Sequence, residues 1–174
     1  AGDACTLTVN VTKAGTSGLS SAASGSSSES SGTAGPGSGP YNHTYVTLKD
    51  SNAAYVWGYR AGPGGFGIPG VSPLFAEHGI YTKGFPDYES KPSAAVIETY
   101  EGNCNSLDKS FRDYIDKVNK QQITYSLIGT NSNAFVYSML NAAGINADSF
   151  NPRIKSALGV SGFLPGWGHT LPVR

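Results

Sequence analysis

A nucleophilic Ser or Cys at the start of a helix, with an imidazole in reach, is the smallest arrangement that performs acyl transfer. The helix start offers backbone N–H groups to an oxyanion, and the imidazole takes the proton. Two positions in this chain meet the first requirement. Ser132 opens a helical pattern in Gly129-Thr130-Asn131-Ser132-Asn133-Ala134-Phe135, and Cys104 opens another in Gly102-Asn103-Cys104-Asn105-Ser106-Leu107. His43 begins a strand-like run and shares a face with Tyr45 and Thr47, which makes it the candidate general base. Asn131 and Asn133 flank Ser132 as orienting or oxyanion groups, a role read from position, although Asn and Ser are also the residues that cap helices. His78 and His169 fall in Gly/Pro-rich chain and read as surface residues, with His169 and Trp167 able to line a cleft.

Other chemistries lack an anchor. Gly62-Pro63-Gly64-Gly65-Phe66-Gly67 matches GxGxxG in form, but it carries a proline and runs into Ile68-Pro69-Gly70, so it cannot open a helix that would hold a pyrophosphate. There is no HExxH, no GxxxxGK[ST] and no GxSxG. No CxxC or Cys/His cluster is present, so neither a metal site nor a cofactor is expected. Asp113 and Asp116 belong to the solvated face of an amphipathic helix.

The elements that must position these residues are legible as periodicities. Cys5 to Lys13 alternates, with Leu7, Val9 and Val11 opposite Thr6, Thr8, Asn10 and Thr12, which is the period of a half-buried strand. Asn42 to Leu48 alternates again, turn residues follow at 49–52, and Ala54 to Tyr59 places Tyr55, Trp57 and Tyr59 together, so the two runs read as a hairpin. Residues 62–93 read as an ordered, irregular excursion, and Ala94 to Tyr100 as a strand. A first helix, capped at Asn103, buries Leu107, Phe111, Tyr114, Ile115 and Val118. A second runs from about Ser132 to Ala143, with Gly144 placed to end it in a left-handed conformation. A short helix after Pro152 and a Gly/Pro-rich tail complete the chain. The expected class is α+β: an antiparallel sheet packed against two main helices, with long irregular Gly/Pro-rich loops.

The chain has 174 residues, enough for one domain, and 12 basic against 12 acidic side chains give zero net charge, with only 14% of residues charged. Such a balance argues against a nucleic-acid partner, and no apolar run is long enough to span a membrane. The run 16–40 is almost wholly Ser, Gly, Ala, Thr and Pro, and reads as a flexible insertion within a single domain 1–174, because the strand before it needs a sheet to pair with. An even cysteine count, a small polar N-terminus and low charge favour a secreted protein with a Cys5–Cys104 disulfide, which would take Cys104 out of contention as a nucleophile. Asn10-Val11-Thr12 and Asn42-His43-Thr44 match the N-glycosylation pattern.

A strand that carries His, here His43-Thr44-Tyr45-Val46, followed by a helix start, here Asn131-Ser132-Asn133-Ala134-Phe135, resembles the circularly permuted papain-like hydrolases and acyltransferases, the lecithin:retinol acyltransferase-like group. That group has Cys where this chain has Ser132, so the hydroxyl would need more help from His43. With Pro165-Gly166-Trp167, residues 41–168 also resemble secreted or toxin-associated domains. The resemblance implies a secreted hydrolase or acyltransferase acting on an amide or ester bond of a cell-wall or lipid substrate, an effector or toxin that an immunity or inhibitor protein could partner. His43 would be the base, Ser132 the nucleophile, and Tyr45, Asn133 and Trp167 substrate contacts. The alternative is a non-catalytic binding module whose Tyr55, Trp57 and Tyr59 form a face for a glycan or protein ligand.

Overall fold

The computed structural model describes residues 3–14, 41–65, 67–88, 94–127, 129–158 and 164–173. They form five strands, β1 (Ala4–Ala14), β2 (Tyr41–Asp50), β3 (Trp57–Pro63), β4 (Leu74–Ile80) and β5 (Ala94–Glu101), and three helices, α1 (Asn105–Gln121), α2 (Ser132–Ala142) and α3 (Asn151–Leu158), the last led in by a 3-10 turn, Ala147–Phe150. All neighbouring strands are antiparallel, in the order β4-β3-β2-β1-β5. The class is α+β as the periodicities predict. Ala14 and Tyr41 are register partners, so the Ser/Gly run joins paired strand ends; its own conformation lies outside the described residues.

Alternation decides which face of the sheet is buried under the helices. Leu7, Val9 and Val11 of β1 stand beside Val46 and Leu48 of β2, and Tyr59, Ala61, Leu74 and Ala76 continue this face through β3 and β4. Fully burying an aliphatic side chain of this size contributes about 1.5–3 kcal/mol, so this face and the helices on it carry the core. Helix α1 contributes Phe111, Tyr114, Ile115 and Val118, spaced for one stripe, while Lys109–Asp113 and Arg112–Asp108 pair across its solvent side. Helix α2 differs: every residue from Ser132 to Leu140 is buried, because the sheet, α1 and the chain's last turns surround it. Gly144, at φ 86°, ends it as expected: its N–H donates to Asn141 O and that of Ile145 reaches back to Leu140 O.

The excursion after β3 corrects the expectation of an irregular stretch. Residues 74–80 are strand β4, which pairs with β3 from Pro63↔Leu74 to Trp57↔Ile80. Its outer edge is covered by a side chain of α1: Asn119 Oδ1 accepts from Ala76 N–H at 2.8 Å and Asn119 Nδ2 donates to Ala76 O at 2.9 Å. Among the described residues no helix is long and apolar enough to cross a membrane.

Candidate active site

The site forms where β2 and β3 part company. Only Val46 to Leu48 of β2 pair with β3, so the strand's first residues have no ladder partner on that side. The start of α2 fills the gap. Asn133 uses its amide as a strand would use its backbone: Oδ1 accepts from Thr44 N–H at 2.8 Å and Nδ2 donates to Asn42 O at 2.8 Å, with Thr44 Oγ1 donating to the same Oδ1. These two residues flank His43. Its ring therefore arrives at a fixed place beside Ser132, and Nδ1 lies 2.5 Å from Ser132 Oγ.

A third group comes from a segment without regular structure. On the sheet face away from α1 and α2 lie His43, Arg60 of β3 and Glu77 of β4. After β4 the chain folds back over this face through two tight turns, closed by Phe85 N–H to Thr82 O and Tyr88 N–H to Phe85 O. Asp87 is thereby set with Oδ2 2.9 Å from His43 Nε2 and 2.7 Å from Arg60 Nε, while Arg60 Nη1 donates to Glu77 Oε2 at 2.6 Å. The Asp87–His43 contact is close but lies off the line of a well-aligned N–H···O bond. Burial alone would push the Asp87 carboxyl up, but the Arg60 guanidinium and then His43 outweigh it and hold the group well below the usual carboxylate range. Asp87 is an anion that Arg60 makes tolerable in the interior, since a buried charge is stable only when paired.

The network assigns the imidazole's proton. An ionised carboxylate at Nε2 calls for N–H there, which leaves Nδ1 as the acceptor for the Ser132 hydroxyl. Ser132, His43 and Asp87 thus align a hydroxyl, an imidazole and a carboxylate in the order that a nucleophile, a base and an orienting group would need, with the ring turned in the opposite sense to the chymotrypsin-type triad, where Nε2 faces the serine. The site is enclosed: Ser132 is 4% exposed, and the His43 and Asp87 side chains 15% and 11%. Of the first N–H groups of α2, those of Asn133 and Ala134 go to Asn131 Oδ1 and that of Phe135 to Asn131 O. Ser132 N–H, beside its own Oγ, finds no such acceptor among the described residues.

Asn131 and Asn133 have other duties than an oxyanion hole. Asn131 is the N-cap of α2, and its Nδ2 donates to Leu127 O and Pro165 O at 2.9 and 2.8 Å. Asn133 Nδ2 also reaches Pro165 O, at 3.0 Å. The Pro165-Gly166-Trp167 motif is the lock that receives both amides. Gly166 has φ 90°, and a Cβ there would collide with Asn131 Oδ1. Trp167, expected to touch substrate, instead donates from Nε1 to Asn151 Oδ1 at 2.5 Å and packs edge-on against Tyr137, which ties the tail to α3.

Three further expectations change. Tyr45 is fully buried, stacked on Tyr81 with the two hydroxyls 2.5 Å apart, so it holds the returning segment down rather than meeting a ligand. Tyr59 cannot share a binding face with Tyr55 and Trp57: it lies in the core with its hydroxyl donating to Asp108, while those two are exposed. Asn10 and Asn42 are both buried, which leaves neither glycosylation triplet accessible on the folded chain. Cys104 is bonded to Cys5, as the cysteine count suggests. His78 and His169 are exposed and stand apart from the triad. Asp87 is the residue that sequence reasoning missed. The nearest signal is Arg60, a cation between the inward residues Tyr59 and Ala61 of an alternating strand, which calls for a carboxylate on the outer face without indicating which one. Among the described residues no group of three or more His, Cys, Asp and Glu converges as a metal would need. Comparison with family models, with curated proteins and with solved structures finds no match for this chain.

Proposed function

We propose that this chain is a serine hydrolase or acyltransferase in which Ser132 attacks an amide or ester carbonyl. The observation that carries this reading is the convergence of Ser132, His43 and Asp87 from three separate parts of the chain, with Arg60 paired to the carboxylate. As Oγ bonds to the carbonyl carbon, its proton passes to His43 Nδ1, and the imidazolium is stabilised through Nε2–H by Asp87. The carbonyl oxygen becomes an oxyanion, for which Ser132 N–H at the positive end of α2 is the nearest donor. Collapse breaks the bond to the leaving group, which takes the proton from His43. Water or an acceptor hydroxyl or amine, deprotonated by the same imidazole, then releases the acyl group. A cell-wall or lipid substrate and secretion belong to this proposal, and the disulfide supports an oxidising compartment. The order of His strand and nucleophile helix supports the permuted papain-like resemblance.

Because Ser132 is so enclosed, the first test uses a compact reagent. A fluorophosphonate should become bonded through phosphorus to Ser132 Oγ with loss of fluoride, seen by mass spectrometry on the peptide carrying Ser132. Ser132→Ala should abolish the label and His43→Ala should slow it severely. Folded wild type that stays unlabelled, or label that survives Ser132→Ala, would overturn the reading.

A further inference from the structure

The carboxylate arrives on a segment that has neither helix nor strand, so something other than a backbone ladder must fix it. Gly58 of β3 and Gly79 of β4 are direct register partners, and two glycines opposite each other leave a hollow in the sheet face that also bears His43 and Arg60. The ring of Phe85 fills that hollow. A Cβ on Gly58 would lie 2.7 Å from Phe85 Cζ and 2.9 and 3.0 Å from its two Cε atoms, and a Cβ on Gly79 would lie 3.9 Å from Cδ1. Phe85 is buried, and Tyr81 stands edge-on to it at 5.7 Å between centroids while stacking on Tyr45 at 5.5 Å. Two residues beyond the plug, Asp87 meets His43 and Arg60.

We infer that Phe85 and the Gly58/Gly79 hollow form a plug and socket that position the carboxylate of the triad, making Phe85 and Gly58 positioning residues for the reaction at Ser132. This rests on the Ser132–His43–Asp87 reading above. Arg60 alone can pull the carboxylate from several directions; the plug selects the one that also faces His43 Nε2. Glycine is required at 58 because any side chain there occupies the place of the ring, and the flat ring of Phe85 fills the floor between the two strands more fully than a shorter side chain would.

The test is the rate of fluorophosphonate labelling of Ser132 in the full chain. Phe85→Ala should lower it at least tenfold while cooperative thermal unfolding is kept, and Phe85→Leu should recover part of the loss. Gly58→Ala should also lower it. The pair Gly58→Ala with Phe85→Leu should label faster than Gly58→Ala alone, since Leu lacks the Cε and Cζ atoms that the new methyl would strike. Phe85→Ala added to Asp87→Asn should cost nothing further, because both remove the same interaction. Should Phe85→Ala fail to fold, the Gly58→Ala variant and the size swap decide the matter. Folded Phe85→Ala or Gly58→Ala labelled at the wild-type rate, a size swap no faster than Gly58→Ala, or full multiplicative losses in the Asp87→Asn background would each overturn the inference. The triad reading itself fails on a different result, label that is absent from wild type or indifferent to Ser132→Ala.

Discussion

Two helices of this protein begin at opposite ends of one strand, and each start carries a residue able to act as a nucleophile. At the far end of β2, Asp50 accepts from the N–H of Cys104, the residue that precedes α1, and the Cys104 sulfur is bonded to Cys5 on the neighbouring strand. At the near end, Asn133 grips the backbone on either side of His43, and Ser132 at the start of α2 faces the imidazole. The local sequences, Asn103-Cys104-Asn105 and Asn131-Ser132-Asn133, are close to interchangeable. What separates the two starts is the side chain that β2 delivers: a carboxylate that satisfies a backbone donor in one case, an imidazole set against a hydroxyl in the other.

The sharpest way to break this contrast is to remove each candidate in turn. Ser132→Ala should lower ester or amide turnover by roughly 10⁴-fold or more, the scale on which triad members act, whereas replacing both Cys5 and Cys104 by Ser should leave turnover per folded molecule within about twofold. Asp87→Asn comes next, with a loss of about 10²–10⁴-fold in rate because the imidazole loses the partner that fixes its tautomer. That variant should also change acid stability. The Asp87 carboxyl is held below its unfolded value, so its stabilisation is present above the ordinary carboxylate pKa and is lost as pH falls below about 4. Thermal melts from pH 6 to pH 2 should fall more steeply for wild type than for Asp87→Asn.

Smaller effects sharpen the other half of the comparison. Loss of the disulfide should cost about 2–5 kcal/mol of unfolding free energy, read from denaturant midpoints, since the bridge spans a sequence separation of 99 residues. Asn131→Ala removes the cap of α2 and should destabilise by about 1–2 kcal/mol. It should slow labelling of Ser132 only modestly, because Asn133 still holds His43 in register.

How much of this was legible follows from where each signal lies in the chain. Leu7, Val9 and Val11 announce β1, Phe111 to Val118 announce α1, and Gly144 announces the end of α2, because each is a local pattern with a local cause. His43 and Ser132 were visible for the same reason, as a strand start and a helix start. Strand β4 was hidden by the prolines and glycines on both sides of it, which read as loop although Leu74 and Ala76 alternate inward. Asp87 was hidden more deeply. Nothing in Gly84-Phe85-Pro86-Asp87 is periodic, and its role arises only when the segment folds back over a face made by two other strands. The duties of Asn131 and Asn133 were likewise out of reach, since their partners at Pro165 are more than thirty residues away.

The position of the disulfide has a covalent consequence. Cys5 lies before the Ser/Gly run and Cys104 after it, while Ala14 and Tyr41 at the run's two ends are strand partners. A protease that cut anywhere between those partners would leave a two-chain molecule: a short peptide bearing β1 tied through sulfur to the body that carries Ser132, His43 and Asp87. Such a nicked form should run as one species without reductant and as two with it, and its Ser132 should react as before.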